Sequence, residues 1–339
     1  MKHVFLASMV SLGLVLGAVQ SGKAGSLGPD FASDYTLTSL GSVPGVPLVY
    51  GGLTLKLGDP NTLLLGGNAN SPGGNLYEVA VTRDSNGHIT GFGSVVPFGD
   101  VGEYNDGGVV YGPNDVLFTA QWNANNLGQT KPGSTDEDRV DALGPYGIGG
   151  SSISALNFVP SGFANAGAMK VVSWSTGNWY DVAYAPDGFG TFDILSATQV
   201  DLDPIAPGIQ SLPGGPEGFI YVEAGNAGFP VASMLVSDYS DNQISAYEVD
   251  SLGNPILSTR RIFASDVIGA EGAFRDPVTG DFLFSTFGGA NEIIRVEGFQ
   301  PIDPPPPTAV PEPSTFALLG IGGLALVGYG VRRKRQQAA

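Results

Sequence analysis

Three acidic residues occupy similar positions in this sequence, each directly before a glycine and shortly before an apolar run. They are Asp106, Glu217 and Glu271. Asparagines recur at a second position, after the next apolar run, as at Asn242. Carboxylate and amide oxygens are the ligands that hard divalent cations such as calcium prefer. If the fold brings these groups to one point, Asp106, Glu217, Glu271 and Asn242 form a metal site for calcium or another divalent cation.

Both residue types also have a structural explanation. Asparagine is favoured in turns because its side chain bonds to nearby backbone and tolerates left-handed conformations, so a recurring Asn in a hairpin needs no ligand. A carboxylate on an inner strand, in contrast, is costly unless it is paired or solvated. The acidic residues therefore favour a site more strongly than the asparagines do, and the sequence assigns no catalytic residue.

The elements that would position these residues follow a repeat. Five segments share a short, very apolar strand, a loop with an Asn, and a second strand. The Asn positions are 75, 126, 178, 242 and 291. A period near fifty residues with strand character in every unit is typical of β-propeller blades. The apolar strand is hydrophobic on both faces, as a sheet packed between two neighbouring blades requires.

Glycine-rich segments precede the apolar strand in each unit and fit innermost strands near a central axis, where only small residues have room. They are Gly51-Gly52, Asp106-Gly107-Gly108, Gly149-Gly150, Glu217-Gly218 and Glu271-Gly272. The last unit lacks a fourth strand, and the N-terminal segment SDYTLTSLGS supplies one that would close the ring. We predict an all-β, five-bladed β-propeller. A sixth, degenerate blade between Gly128 and Gly150 and a β-sandwich are the alternatives.

In such a propeller, the loops that enter the innermost strands and the loops between second and third strands meet on one face, at the mouth of the central channel. The acidic residues lie in the first kind of loop and the asparagines in the second. This layout is similar to that of gluconolactonase-like six-bladed hydrolases, which hold one metal with carboxylates and amides. The resemblance is one of fold and residue type, without a matched motif. It implies a divalent-metal-dependent hydrolase of lactones or phosphoesters.

Composition narrows the functional classes. Nine Lys and Arg face 32 Asp and Glu between residues 25 and 313, a net charge of −23, so this part of the chain should repel nucleic acid and anionic membranes. The sequence contains no Cys, and His88 is the only His outside the first 24 residues. Thiolate catalysis, a Ser-His-Asp triad and a His-ligated zinc site are therefore not expected.

The first 24 residues have the pattern of a secretory signal peptide. Lys2 precedes an apolar run from Val4 to Val19, and small residues precede a cleavage site after Ala24. We therefore expect an exported protein with its propeller over residues 25–299. Because no disulfide can form, the core alone must stabilise the propeller.

The C-terminal end combines several elements in order. A proline-rich linker at 300–310 leads to Pro311-Glu312-Pro313, an apolar run at 316–331 and the basic residues Arg332, Arg333, Lys334 and Arg335. As a helix the run would span roughly 24 Å at about 1.5 Å per residue, enough for a short transmembrane segment. The basic cluster would stay in the cytoplasm and place the acidic propeller outside.

The segment 311–335 resembles the PEP-CTERM sorting signal of exported bacterial proteins. The resemblance implies recognition by an exosortase-type membrane enzyme, transient anchoring through the C-terminal helix, and delivery to the cell envelope or the medium. We expect a binding or structural protein of the cell surface or extracellular matrix, with an extracellular polysaccharide as its partner. The metal-dependent hydrolase with its site in the channel mouth is the alternative.

Overall fold

The computed structural model describes residues 25–149 and 153–301. The expected signal peptide at 1–24, most of the proline-rich linker and the sorting segment with its apolar run at 316–331 lie outside the described residues. Within the described ranges, no helix combines the length and the apolar character needed to cross a membrane.

Strands make up almost all regular structure, and they follow one another in antiparallel sheets. The chain starts with β1 (Ser26–Leu27) and β2 (Thr36–Gly41). Blade 1 contains β3 (Leu53–Leu55), β4 (Thr62–Gly67), β5 (Asn75–Arg83) and β6 (Ile89–Pro97). Blade 2 contains β7 (Asn105–Tyr111), β8 (Leu117–Gln121), β9 (Asn126–Thr130) and β10 (Arg139–Ala142). Blade 3 contains β11 (Ile153–Phe158), β12 (Met169–Ser173), β13 (Trp179–Pro186) and β14 (Phe192–Val200).

The remaining two blades borrow strands from the N-terminal end. Blade 4 contains β15 (Pro216–Val222), β16 (Ser233–Asp238), β17 (Gln243–Glu248) and β18 (Arg261–Ser265), with β1 as a fifth, outermost strand. Blade 5 contains β19 (Ala270–Arg275), β20 (Phe282–Thr286) and β21 (Ile293–Glu297), completed by β2. Short 3₁₀ turns at Pro113–Asp115, Gly144–Tyr146 and Leu257–Thr259 lie in the connecting loops.

The prediction of a five-bladed propeller is confirmed. The stretch from Gly128 to Gly150 adds the outer strand β10 to blade 2 and no sixth blade, and a β-sandwich is wrong. The N-terminal strand β2 pairs with β21, from Thr36 opposite Glu297 to Gly41 opposite Ile293, and closes the ring as the sequence indicated. The addition of β1 to blade 4 was not expected.

Apolar contacts between neighbouring blades form the core. Strands β8, β12, β16 and β20 are buried at every residue, which agrees with their hydrophobic character on both faces. Five apolar clusters lie one at each junction between blades. They include, in ring order, Leu64 with Leu117, Phe118 with Leu156, Val172 with Phe219, Leu235 with Phe282, and Leu283 with Leu63.

Glycines let the innermost strands meet at the axis. A Cβ atom on Gly107 would lie 2.4 Å from the carbonyl oxygen of Glu217 in a blade across the ring, and one on Gly218 would lie 2.3 Å from that of Glu271. Such distances exclude any side chain larger than hydrogen. Backbone therefore fills the axis at this level, where the sequence led us to expect a channel.

Candidate ligand site at the propeller axis

Irregularities in three inner strands place the three predicted carboxylates. The pairing of β7 with β8 shifts register between Asn105 and Val109, and the equivalent shifts in blades 4 and 5 lie after Pro216 and Ala270. Asp106, Glu217 and Glu271 each sit inside such a bulge. Because a bulge adds residues to one strand and turns a side chain out of its normal direction, it can aim an acidic group at the axis.

The third blade has a bulge without an acid. Its register shifts between Ile153 and Ala155, and the residue inside the bulge is Ser154, whose hydroxyl donates to the Pro216 carbonyl oxygen. Gly149-Gly150, assigned from the sequence to the start of this inner strand, precedes it; Gly150 lies outside the described residues. Three of the five inner strands thus bring a carboxyl group to the axis.

The three carboxyl groups meet at one point. One oxygen from each of Asp106, Glu217 and Glu271 lies within 4.8 Å of the other two. The residues are 0%, 4% and 1% exposed. We call them the carboxyl triad.

Asn242, the fourth ligand predicted from the sequence, serves the backbone. Its amide oxygen, the atom that a cation would need, accepts a hydrogen bond from the N–H of Gly269 at 3.1 Å. Asn242 also has a left-handed backbone, with φ of 53°. Both features match the structural explanation for a turn asparagine.

Another asparagine, which the sequence did not single out, reaches the carboxyl triad. With its NH₂ group turned toward Asp106, the Asn70 side chain donates to a carboxylate oxygen of Asp106 at 3.0 Å and to the backbone oxygen of Asn105 at 3.2 Å. Asn70 lies three residues after β4, in the loop between second and third strands of blade 1. That loop position was the only sequence signal that could have identified it.

The carboxyl triad has no basic partner. Among the ion pairs of the described residues, none joins a Lys, Arg or His to Asp106, Glu217 or Glu271. One oxygen of each is buried without a hydrogen-bond partner. Burial raises the pKa of Asp106 to about 7, against hydrogen bonds that lower it. Burial, and then the charge of the neighbouring acids, raises the pKa of Glu217 and of Glu271 well above the usual range.

Four aromatic side chains surround the space above the carboxyl triad. Each is the first residue after the second strand of its blade: Trp122, Trp174, Tyr239 and Phe287. Successive rings are 5.9, 6.3 and 6.1 Å apart at their centroids and meet edge to face. In blade 1 the equivalent residue is Asn68, so the aromatic wall has no member there.

These residues enclose a cavity of about 340 Å³, which we call the axial cup. Glu217, Glu271 and Asn70 line it together with Ala69 and the four aromatic residues. Trp179, which follows the recurring Asn178, is fully buried between blades 3 and 4 and serves in packing, whereas the four wall residues are only partly buried.

Comparison with known proteins identifies the tail. The PEP-CTERM protein-sorting motif matches residues 309–335. The motif indicates an exported protein that is sorted to the cell envelope, and it implies processing by an exosortase. No curated protein matches the chain.

Several solved structures are similar to the chain over most of its length. An auxiliary nutrient binding protein from Bacteroides ovatus is 11% identical, with a TM-score of 0.42 over 78% of this chain and 76% of that one. The PQQ domain of pyranose dehydrogenase from Coprinopsis cinerea is 8% identical, with a TM-score of 0.42 over 78% and 96%. Virginiamycin B lyase from Staphylococcus aureus is 12% identical, with a TM-score of 0.37 over 78% and 99%. These similarities are too low to transfer a function. The chain is a five-bladed β-propeller that carries a PEP-CTERM sorting motif.

Proposed function

We propose that this exported propeller is a binding protein of the cell surface or extracellular matrix, and that the axial cup is its binding site, with a divalent cation such as calcium on the carboxyl triad. The observation that carries this proposal is the carboxyl triad itself. Its three acids are buried at the axis, two of them line a cavity, and none is paired with a basic side chain among the described residues.

Charge is the first argument for a cation. Burying one ionised carboxylate away from water is already costly, and three within 4.8 Å of one another also repel each other. Protons or a cation must relieve this arrangement at neutral pH. A divalent cation relieves it while all three groups stay ionised, because it interacts with each of them at once.

Distance is the second argument. Calcium binds oxygen at about 2.3–2.6 Å, so two oxygens on the same ion lie at most about 5.2 Å apart. The separation of the triad oxygens, within 4.8 Å, falls inside that limit. Asp106, Glu217 and Glu271 would hold the ion, and Asn70 would orient Asp106. Oxygen donors without Cys or His favour calcium, magnesium or manganese over zinc or copper.

The partner that we propose is an extracellular polysaccharide or another glycan of the envelope. Three carboxylate ligands leave positions open in a calcium shell of six to eight oxygens. Those positions can only face the cup, because backbone fills the axis on the other side. Sugar hydroxyls can occupy them, and the aromatic wall offers faces for the sugar ring.

Calcium titration of the purified full-length chain tests the cation site. Calcium at about one hundred times its dissociation constant should stabilise the folded protein by about 2.7 kcal/mol, which a thermal melt detects. Glu217→Gln and Glu271→Gln should each abolish that gain, whereas Asp34→Asn, which neutralises an exposed acid, should retain it. A wild-type protein that no divalent cation stabilises would overturn the proposal.

A metal-dependent hydrolase is a second candidate, and one observation favours it. The carboxyl triad borders the axial cup, so a cation on the triad could polarise a carbonyl or phosphoryl oxygen of a ligand in the cup. Lactones and phosphoesters are the substrates to test with the calcium-, magnesium- and manganese-loaded protein. Turnover by the loaded protein that chelation abolishes, and that Glu217→Gln abolishes together with cation binding, would favour the hydrolase over simple binding.

The sorting tail gives an independent test of export. In a host with an exosortase, the protein should lose residues near and after Pro313, because the motif would lie just outside the membrane while the basic cluster halts transfer. Replacing Arg332, Arg333, Lys334 and Arg335 with neutral residues should impair retention and processing. Intact-mass measurement decides: an unprocessed C-terminus in such a host would make the segment an ordinary anchor.

A further inference from the structure

The axial cup is closed at its base. Gly52 and Gly272 approach so closely that a Cβ on Gly272 would lie 2.7 Å from the Cα of Gly52, and Gly107 meets the backbone of Glu217 from across the ring. A ligand can therefore enter the cup from one side only. An extended polymer cannot pass through the axis of this propeller.

The size and the wall of the cup restrict what enters. Its volume of about 340 Å³ is near the lower end of small-molecule sites, about 300–1,000 Å³. Four blades contribute an aromatic residue from one equivalent position, and blade 1 contributes the smaller residues Ala69 and Asn70 instead. The wall is therefore aromatic on four sides and formed by smaller side chains on the fifth.

The electrostatics of the cup disfavour charged ligands of either sign once a cation is present. No Lys, Arg or His lines it. A divalent cation on three carboxylates leaves one negative charge, which repels an acidic sugar or a phosphate. An ammonium group has no lone pair and cannot be a ligand of the cation. Neutral oxygen atoms remain as the donors that suit its open positions.

We propose that the cup binds the terminal unit of a neutral saccharide, end-on, with sugar hydroxyls on the bound cation and a ring face against the aromatic wall. This inference rests on the proposed function, since it requires the cation. The rest of the glycan leaves over blade 1, where the wall is formed by the smaller residues Ala69 and Asn70. The protein thereby recognises chain ends or side branches of a matrix polysaccharide and not the interior of its chains.

Calorimetric titration of the calcium-loaded full-length chain tests the ligand class. The probes are methyl glycosides of glucose, galactose, mannose, xylose and N-acetylglucosamine, with glucuronic acid as the anionic comparison. At least one neutral glycoside should bind, and chelation of calcium should abolish its binding. If calcium binds but no neutral glycoside does, the inference falls and the cation site stands. If calcium does not bind, the proposed function falls as well.

The aromatic wall provides matched variants. Tyr239→Ala and Phe287→Ala should each weaken glycoside binding about tenfold. Phe189→Ala removes an aromatic ring that is 85% exposed elsewhere on the surface and should change nothing. Calcium stabilisation that equals the wild-type value shows that the variants are folded. Glycoside affinity unchanged in both wall variants would overturn the placement of the sugar.

End-on binding has its own test. An oligosaccharide that carries the bound sugar at its terminus should bind at least as well as the methyl glycoside, and one that carries it only in the interior should bind at least one hundredfold more weakly. Equal affinity for the two overturns end-on recognition. Binding of tetramethylammonium without calcium would instead assign the cup to organic cations and overturn the inference.

Discussion

Two groups of buried acids in this propeller differ in how their charge is compensated. The carboxyl triad at the axis has no basic partner among the described residues. The second group, which we call the closure seam, joins blade 1 to blade 5, the blade in which the N-terminal and C-terminal strands pair. It comprises Arg83 and His88 of blade 1 with Asp276, Asp281 and Arg295 of blade 5.

At the closure seam every buried acid is paired. Asp276, fully buried, accepts two hydrogen bonds from the Arg83 guanidinium at 2.5 and 3.3 Å. Asp281, 1% exposed, lies 2.7 Å from Nδ1 of His88. Arg295 donates from the same region to the carbonyl oxygen of Ile89 in blade 1. These contacts hold blade 1 against blade 5, in addition to the chain segment that runs from β2 of blade 5 to β3 of blade 1.

The difference separates structural acids from acids that need a ligand. A buried acid with a basic partner in the same chain is satisfied in the free protein, so its removal should cost stability. A buried acid without one stays under strain until protons or an external cation arrive, so its neutralisation should relieve the free protein. Mutation should therefore change the free energy of unfolding in opposite directions at the two places. It should fall when the closure seam loses an ion pair, and it should rise when an acid of the carboxyl triad is neutralised.

The largest effect should come from the closure seam. Arg83→Met leaves Asp276 buried without its partner and should lower the free energy of unfolding by about 3–5 kcal/mol, measured by urea denaturation. Lys131→Met is the control, because Lys131 pairs with Asp138 at a more exposed site and should cost less than about 1 kcal/mol. If the two variants lose equal stability, the buried ion pair of the closure seam contributes no more to stability than an ion pair at the surface.

The second effect concerns the pH dependence of the cation-free protein. Because the folded pKa of Asp106 is raised from 3.8 to about 7, the folded state binds more protons than the unfolded state across this range. The stabilisation is therefore complete below about pH 4 and is lost as the pH rises toward 7, on the order of 3 kcal/mol. Urea denaturation at a series of pH values measures it.

A matched variant tests whether the carboxyl triad causes this loss of stability with rising pH. Asp106→Asn removes the titrating group and should reduce the slope of the profile between pH 4 and 7, and saturating calcium should reduce it in the wild-type protein. An unchanged slope in Asp106→Asn would mean that other acids cause the loss, and the carboxyl triad would no longer differ from the seam in this respect.

The smallest effect should come from His88. Its hydrogen bond to Asp281 raises the pKa of His88 above 6.5, so its contribution is complete below pH 6.5 and is lost as the pH rises through the raised value. The side chain is 23% exposed, and His88→Asn should cost about 1 kcal/mol at pH 6 and less at pH 9. Equal costs at both pH values would show that the imidazole charge does not matter at the seam.

The sequence predicted features that depend on composition and period. The propeller and its closing strand β2 follow from the repeated apolar strands and from the missing fourth strand of the last unit. Asp106, Glu217 and Glu271 could be identified because one unusual pattern occurs three times. In each case an acid stands beside a glycine and before an apolar strand. Their meeting at one point could only be expected from the fold.

Features that depend on register and on distant contacts were not predictable. The bulges that aim the three acids arise from pairing between strands, which no local pattern shows. Asn70 and Asn242 look alike as turn residues, and only tertiary contacts separate the one beside Asp106 from the one that binds Gly269. The two-residue strand β1 is too short to carry a periodic signal.

The pairing of β2 with β21 has a consequence for the order of events during export. Residue 36 is among the first parts of the propeller to be made, and its partner at residue 297 is the last. Blade 5 therefore cannot be completed on a nascent chain, however early the other blades form, because long-range pairing must wait for both strands. Only 11 residues lie between the end of β21 and the sorting motif that begins at 309. The ring can therefore close only once the chain is available almost up to the sorting motif.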